Sequence, residues 1–248
     1  MKKVYSLNCG TLTLRYSLLY PETRRYFGEY LKETSDFSSL GISITPEYME
    51  ESRWLVDDNE ESKSFLEFQS LMLATGNKLL EYDRALFHGV ALLWKDRAWI
   101  ITAPSGIGKT TQLKLWTKLL YKDVKIINGD KPIVECKSDN SIWVYSSPWR
   151  GKEKFGKQGL CAQLGGIILL EQGLKNQINR MFIEEAVLPL FIEFVSYPEN
   201  IEQLKHQGYI LKQMLNAVPV WKLINTGDED SAKLTVNTLN DYLRTKVK

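Results

Sequence analysis

Long hydrophobic runs, paired cysteines, an excess of one charge and internal repeats are all missing from this chain, and each absence closes off a class of protein. No apolar run reaches the roughly 20 residues of a membrane-spanning helix, so the sequence predicts no membrane partner. Met1-Lys2-Lys3 leads into Val4-Tyr5-Ser6-Leu7-Asn8-Cys9, too short and too polar for the apolar region of a secretory leader. Cys9, Cys136 and Cys161 are scattered and odd in number, which fits neither a disulfide framework nor a metal spacing. They are expected to be free thiols in a reducing, cytoplasmic setting. A net charge of +2 gives no broad electrostatic basis for binding nucleic acid. What remains is ordinary for a globular protein. The 248 residues are 44% apolar and 25% charged, enough for one large domain or a main domain with a small appended one.

Patterning places the elements coarsely. Residues 4–20 alternate weakly, as two strands would, and the aromatic-rich stretch 21–31 fits a short helix. Residues 57–63 are acidic and polar, a loop leading into a helix over 63–82. There Phe65, Phe68, Leu71, Met72, Leu79 and Leu80 recur at mostly helical spacing. The apolar runs 89–94 and 97–102 are separated only by Lys95-Asp96, the pattern of a β-hairpin with a two-residue turn. A helix over 110–120 and strands at 124–127, 132–135 and 142–145 follow. Gly165-Gly166-Ile167-Ile168-Leu169-Leu170 reads as a buried strand. A helix near 201–215, a strand at 218–223 and a last helix near 231–243 complete the chain. Asp228, Glu229 and Asp230 stand where carboxylates favour the positive end of that helix's dipole.

One motif carries chemistry. Ala103-Pro104-Ser105-Gly106-Ile107-Gly108-Lys109-Thr110 fits the phosphate-binding P-loop, with alanine in place of the usual first glycine. Gly106 and Gly108 let the backbone turn with positive φ and approach phosphates closely. Successive N–H groups and the N-terminus of the next helix cradle the anion. Lys109 reaches the β- and γ-phosphates and the Thr110 hydroxyl ligates magnesium. The motif follows an apolar strand and opens an amphipathic helix, as the mechanism requires. The expected nucleotide-binding set is Ala103 to Thr110 with Thr111 and Lys152. The expected fold is α/β, a mixed, partly antiparallel sheet around the P-loop hairpin, flanked by helices.

Other residues are expected to converge there. If Lys95 and Asp96 form the turn, His88 falls opposite Ala103, within reach of a γ-phosphate or a substrate hydroxyl. Asn128-Gly129-Asp130-Lys131 ends the next strand. If that strand runs parallel to the P-loop strand, Asp130 arrives at the same sheet edge. A carboxylate there can ligate magnesium or accept the proton of an attacking hydroxyl. In the basic segment Ser146 to Lys154, Arg150 or Lys152 can neutralise phosphate oxygens and Glu153 can ligate metal. A Gly-Asp turn between strands and a solvated charged loop are the blander readings of those two segments.

Phe87-His88-Gly89-Val90, the hairpin, the Ser105 to Lys109 loop and Asp130 together resemble the catalytic half of HPr kinase/phosphorylase, over roughly residues 87–153. The resemblance implies a sheet fold related to phosphoenolpyruvate carboxykinase, ATP and magnesium as cofactors, and a serine acceptor in a peptide or small protein. It assigns His88 to the family's active-site histidine, Lys109 to the P-loop lysine and Asp130 to the catalytic base. Thr110 stands at a magnesium-binding serine, and Glu153 aligns loosely with a later metal-binding glutamate. Gly129 replaces the first of two adjacent aspartates. The Asn-x-Asp-Lys-Pro turn and Pro-Trp-x-Gly-Lys loop (Asn128 to Pro132, Pro148 to Lys152) look more like the shorter members. Some of those tailor ribosomally made peptides, including kinases for lasso-peptide precursors.

On this reading residues 1–82 form N-terminal strands and a helix, a subdomain or part of the same domain, and 83–248 form the kinase core. A small-molecule hydroxyl such as free serine is a competing acceptor, a non-catalytic nucleotide-dependent regulator is a competing class, and a homo-oligomer stays open. A carboxykinase is disfavoured, because no second-metal cluster accompanies the loop and His206 lies far away on an expected helix.

Overall fold

The computed structural model of the chain describes residues 3–35, 40–57 and 62–246. The two strands expected here are β1 (Val4–Cys9) and β2 (Leu12–Ser17), which pair antiparallel with Leu7, Cys9, Leu14 and Tyr16 turned inward. The next stretch is not one helix. It is a 3-10 turn, the one-turn helix α1 (Arg24–Phe27) and a second 3-10 turn, because Gly28 takes φ +57° and no helix continues through that conformation. Strands β3 (Lys32–Glu33) and β4 (Leu40–Ile42), unseen in the sequence, complete a small sheet in the order β3-β1-β2-β4. Helix α2 (Pro46–Glu51) begins at Thr45, whose hydroxyl accepts from Tyr48 N at 3.2 Å. Helix α3 (Lys63–Leu80) begins at Ser62, which accepts from Phe65 N at 3.3 Å. Of the loop expected over 57–63, residues 58–61 lie outside the described residues.

The second sheet builds the site. It contains β5 (Arg84–Leu86), β6 (Val90–Trp94), β7 (Arg97–Thr102), β8 (Val124–Asn128), β9 (Ile133–Cys136), β10 (Ile142–Tyr145), β11 (Cys161–Gln172), β12 (Gln177–Arg180) and β13 (Val220–Asn225). Four helices accompany it: α4 (Lys109–Leu120), α5 (Ile183–Phe191), α6 (Ile201–Ala217) and α7 (Glu229–Lys246). The strand order is β5-β9-β10-β11-β7-β6-β8, with β13 paired to β11 and β12 to β13. The hairpin register is the one expected: Val90 faces Ile101 and Trp94 faces Arg97. Lys95 and Asp96 turn with φ of 51° and 56°, the mirror-image turn whose twist suits the flanking strands. Strand β6 runs antiparallel to both β7 and β8, so β7 and β8 point the same way, with α4 crossing between them. Strand β11 is parallel to β7 and to β13. The fold is therefore α/β with mixed parallel and antiparallel pairing.

Burial on both faces explains the continuous apolar runs. Along β7, Ala98 and Ile100 join a core beneath α5 and α6, while Trp99 and Ile101 join a core beneath α4 and α7. Along β11, Ile167 and Leu169 face the first core and Ile168 and Leu170 the second. A third core fills the space between the small sheet, α1 and α3, and it takes in Leu86, Ile133 and Trp149 from beyond residue 82. Among the described residues no helix is long and apolar enough to cross a membrane. All three cysteines are free.

Candidate active site

The phosphate loop leaves the carboxyl end of β7. Ala103 is fully buried with a negative φ, so alanine serves at the position where glycine is usual. Gly106 and Gly108 take φ of 83° and 113°, and a Cβ at either would meet nothing within 4 Å, so the cradle opens into free space. Lys109 opens α4 and folds back over the loop, donating to the carbonyls of Ala103 at 2.7 Å and Pro104 at 3.2 Å. Burial holds its pKa below the ordinary lysine value, against the opposing pull of the Glu193 and Asp130 carboxylates. The loop borders a cavity of about 380 Å³ that also takes in His88, Thr110, Thr111, Gly129, Asp130, Lys152 and Glu153.

Asp130 is placed by an asparagine turn. The Asn128 side-chain oxygen accepts from Asp130 N at 2.9 Å and Lys131 N at 2.7 Å, while its amide donates to Ser147 O at 3.0 Å. Gly89 N donates to Asp130 O at 2.7 Å, fastening this turn to the start of β6. The Asp130 carboxylate meets Lys131 Nζ at 2.5 Å through one oxygen and His88 Nε2 at 3.6 Å through the other.

His88 is gripped on both sides. Its carbonyl accepts from Thr102 Oγ1 at 2.7 Å and its N–H donates to Glu193 O at 2.7 Å. The ring Nδ1 lies 2.7 Å from Glu193 Oε2, and the Glu193 side chain is 4% exposed. A buried carboxylate on Nδ1 fixes the proton there and turns Nε2 toward Asp130. Sequence reasoning missed Glu193. Its signal was available: a lone acid within Phe191-Ile192-Glu193-Phe194, where burial of a carboxylate demands a partner.

Two expected residues sit differently. Arg150 does not line the phosphate cavity. Its Nη1 donates to Gly156 O at 3.1 Å and its guanidinium lies 5.0 Å from the centre of the Tyr30 ring. Glu153 borders the cavity, but its carboxylate is held by Lys114 at 3.2 Å, a bond that lowers its pKa. His206 lies outside the site, 3.9 Å from Asp83.

The residues present fit a magnesium polyphosphate. The open positive-φ cradle and Lys109 suit the phosphates. Among the described residues no cluster of three or more His, Cys, Asp or Glu is placed to hold a metal. Magnesium bound to a nucleotide needs no such cluster, since it keeps several waters and takes one or two protein oxygens. Thr110 and Asp130, both at the cavity, would supply those.

No protein-family model and no curated protein matches the chain. Among solved structures, the HPr(Ser) kinase/phosphatase of Coxiella burnetii is similar to it with 13% identity and a TM-score of 0.37, covering 65% of this chain and 92% of that one. A likeness that distant leaves the function to be argued from the cavity itself.

Proposed function

We propose that the protein is an ATP- and magnesium-dependent kinase that moves the γ-phosphoryl group to the hydroxyl of a serine in a peptide or small protein. The observation that carries this reading is one cavity holding a phosphate cradle, Lys109, and a carboxylate, Asp130, that faces a Glu193-anchored imidazole. A module that only bound nucleotide would need the cradle alone.

The roles follow from position. The loop amides and Lys109 hold the β- and γ-phosphates, and Thr110 and Asp130 would hold magnesium, which offsets phosphate charge when bound. Asp130 takes the proton of the serine hydroxyl as its oxygen bonds to the γ-phosphorus. The bond from that phosphorus to the bridging oxygen breaks and ADP leaves with the electron pair. His88, steadied by Glu193, keeps Nε2 beside the Asp130 carboxylate. Lys109 and Lys152 face the charge that spreads over the transferring oxygens. Tailoring of a ribosomally made precursor peptide is the use that agrees with the short-member loop at Pro148 to Lys152, of which Gly151 and Lys152 border the cavity.

Incubation with ATP, magnesium and candidate precursor peptides, an HPr-like protein or free serine, read by intact mass, tests the proposal. One added phosphate on a peptide or protein, lost with Lys109→Ala, is the expected result. Saturable ATP binding without transfer to any acceptor would favour a nucleotide-dependent regulator, and transfer to free serine alone would move the acceptor to small molecules.

A further inference from the structure

A second cavity, about 360 Å³, adjoins the phosphate site and shares Asp130, Gly151 and Lys152 with it. That volume lies within the range of roughly 300–1,000 Å³ typical of ligand pockets. Its floor is aromatic. Phe68 stacks on Trp149 with ring centres 5.8 Å apart and on Tyr26 at 5.5 Å, with Phe65 and Met72 beside them. Its other walls carry Lys131, Arg150, Lys152 and Lys154 against a single acid, Asp130. Lys131 is already paired with that acid and Arg150 is held by Gly156 O and the Tyr30 ring, which leaves Lys152 and Lys154 as the cationic side.

A third cavity, of about 510 Å³, borders the opposite side of the loop at Gly106, Gly108 and Thr111 and extends to Asn225 and Gly227. The phosphate cavity thus lies between the other two, sharing Asp130, Gly151 and Lys152 with the aromatic one and Gly106, Gly108 and Thr111 with the third. Asp130 stands at the boundary between the phosphate cavity and the aromatic one. In-line transfer places the acceptor oxygen on the far side of the γ-phosphorus from the departing nucleotide. The nucleoside therefore belongs on the Thr111 side and the acceptor on the aromatic side.

We infer that the aromatic cavity is the acceptor subsite, and that it selects a serine flanked by bulky apolar residues within an acidic segment. The inference rests on the kinase reading and adds a sequence preference to it. The apolar floor removes the neighbouring side chain from water, and the lysine wall matches carboxylates further along the peptide. Gln69, half-buried on α3, lines the same cavity.

Four heptapeptides test this: Asp-Asp-Phe-Ser-Phe-Asp-Asp, its analogue with Gly for Phe, its analogue with Lys for Asp, and the doubly changed peptide. With ATP and magnesium, kcat/KM for the first should exceed that of each single analogue by about tenfold or more, the scale on which apolar pockets discriminate. Gln69→Trp should fill the cavity and raise the peptide KM by a similar factor while ATP affinity holds, which also shows that the variant is folded. Lys154→Glu should narrow or reverse the preference for Asp over Lys. Transfer without preference among the peptides would overturn the inference and leave the kinase reading standing. A rise in ATP KM in place of peptide KM for Gln69→Trp would put the nucleoside in this cavity and overturn it too. No transfer to any peptide, to an HPr-like protein or to free serine, despite saturable ATP binding, would remove both readings.

Discussion

Asp130→Asn separates a chemical role from a structural one, because the two predict different magnitudes. Asparagine has nearly the same shape, and the bonds that place residue 130 come from its backbone: its N–H to Asn128 at 2.9 Å and its carbonyl from Gly89 at 2.7 Å. The side chain's strongest contact is the pair with Lys131 at 2.5 Å, between groups 24% and 20% exposed. Asparagine keeps an oxygen for Lys131 to donate to and loses only the charge assistance, about 1–2 kcal/mol, so the variant should unfold within several degrees of the native protein. A general base contributes roughly 10²- to 10⁴-fold in rate, equivalent to about 2.7–5.5 kcal/mol of barrier. Turnover should therefore fall by at least about a hundredfold in a single-turnover phosphorylation assay, where release steps do not mask chemistry. Metal-free ATP should bind no more weakly, since a negative charge has left the phosphate cavity. Unchanged turnover would refute Asp130 as the base. A loss of turnover matched by an equal loss of nucleotide binding would refute the argument as well, by making the residue part of the cradle.

Three more outcomes are expected. Glu193→Gln keeps a hydrogen-bond acceptor for His88 but removes its charge. A bond to a charged group exceeds a neutral one by about 1–2 kcal/mol, so kcat should fall roughly 5- to 30-fold with KM for ATP little changed; an unaltered kcat would make the His88–Glu193 pair purely structural. Lys109 is charged below its lowered pKa and loses that charge as pH rises through it, so ATP affinity should begin to fall below the ordinary lysine value of 10.5. Its effect on folding has the opposite sign: the folded state sheds the proton first, so its contribution to stability rises with pH up to the unfolded value. Titration of ATP affinity should show the alkaline decline in the native protein and not in Lys109→Arg, where the charge persists; identical profiles would refute it. Among the thiols, burial pushes Cys9 and Cys136 up to about 12, whereas Cys161 is exposed. A thiol reagent at neutral pH should label Cys161 rapidly, the half-buried Cys136 slowly and Cys9 only on unfolding; fast labelling of Cys9 would contradict its burial.

The hairpin and the loop were legible because local rules govern them. Lys95-Asp96 between two apolar runs fixes a register, and that register alone puts His88 beside the loop. The Asn128 turn likewise announces where Asp130 goes. Strands β3 and β4 escaped notice because they hold 2 and 3 residues, too few to show alternation. Helix α5 was missed because its apolar residues are exposed at Ile183, Val187 and Leu188 and a proline interrupts it, so no polar stripe marks an outer side. Glu193 and the aromatic cavity depend on contacts between segments far apart in the chain: Glu193 lies 105 residues from His88, and Trp149 N–H reaches Phe68 O across 81 residues. The position of Arg150 was misjudged for the same reason, since Tyr30 in the small sheet's flank draws its guanidinium away from the phosphates.

Gly129 is small for a reason that reaches past the turn it belongs to. A Cβ at that position would stand 2.8 Å from Arg150 O and 2.8 Å from Phe155 Cβ. The loop over 150–155 therefore lies in the volume that a second carboxylate beside Asp130 would need. Any side chain at position 129 would push on that loop, and the loop carries Gly151 and Lys152, which border both the phosphate cavity and the aromatic one, so the smallness of one turn residue holds the shape of two cavities at once.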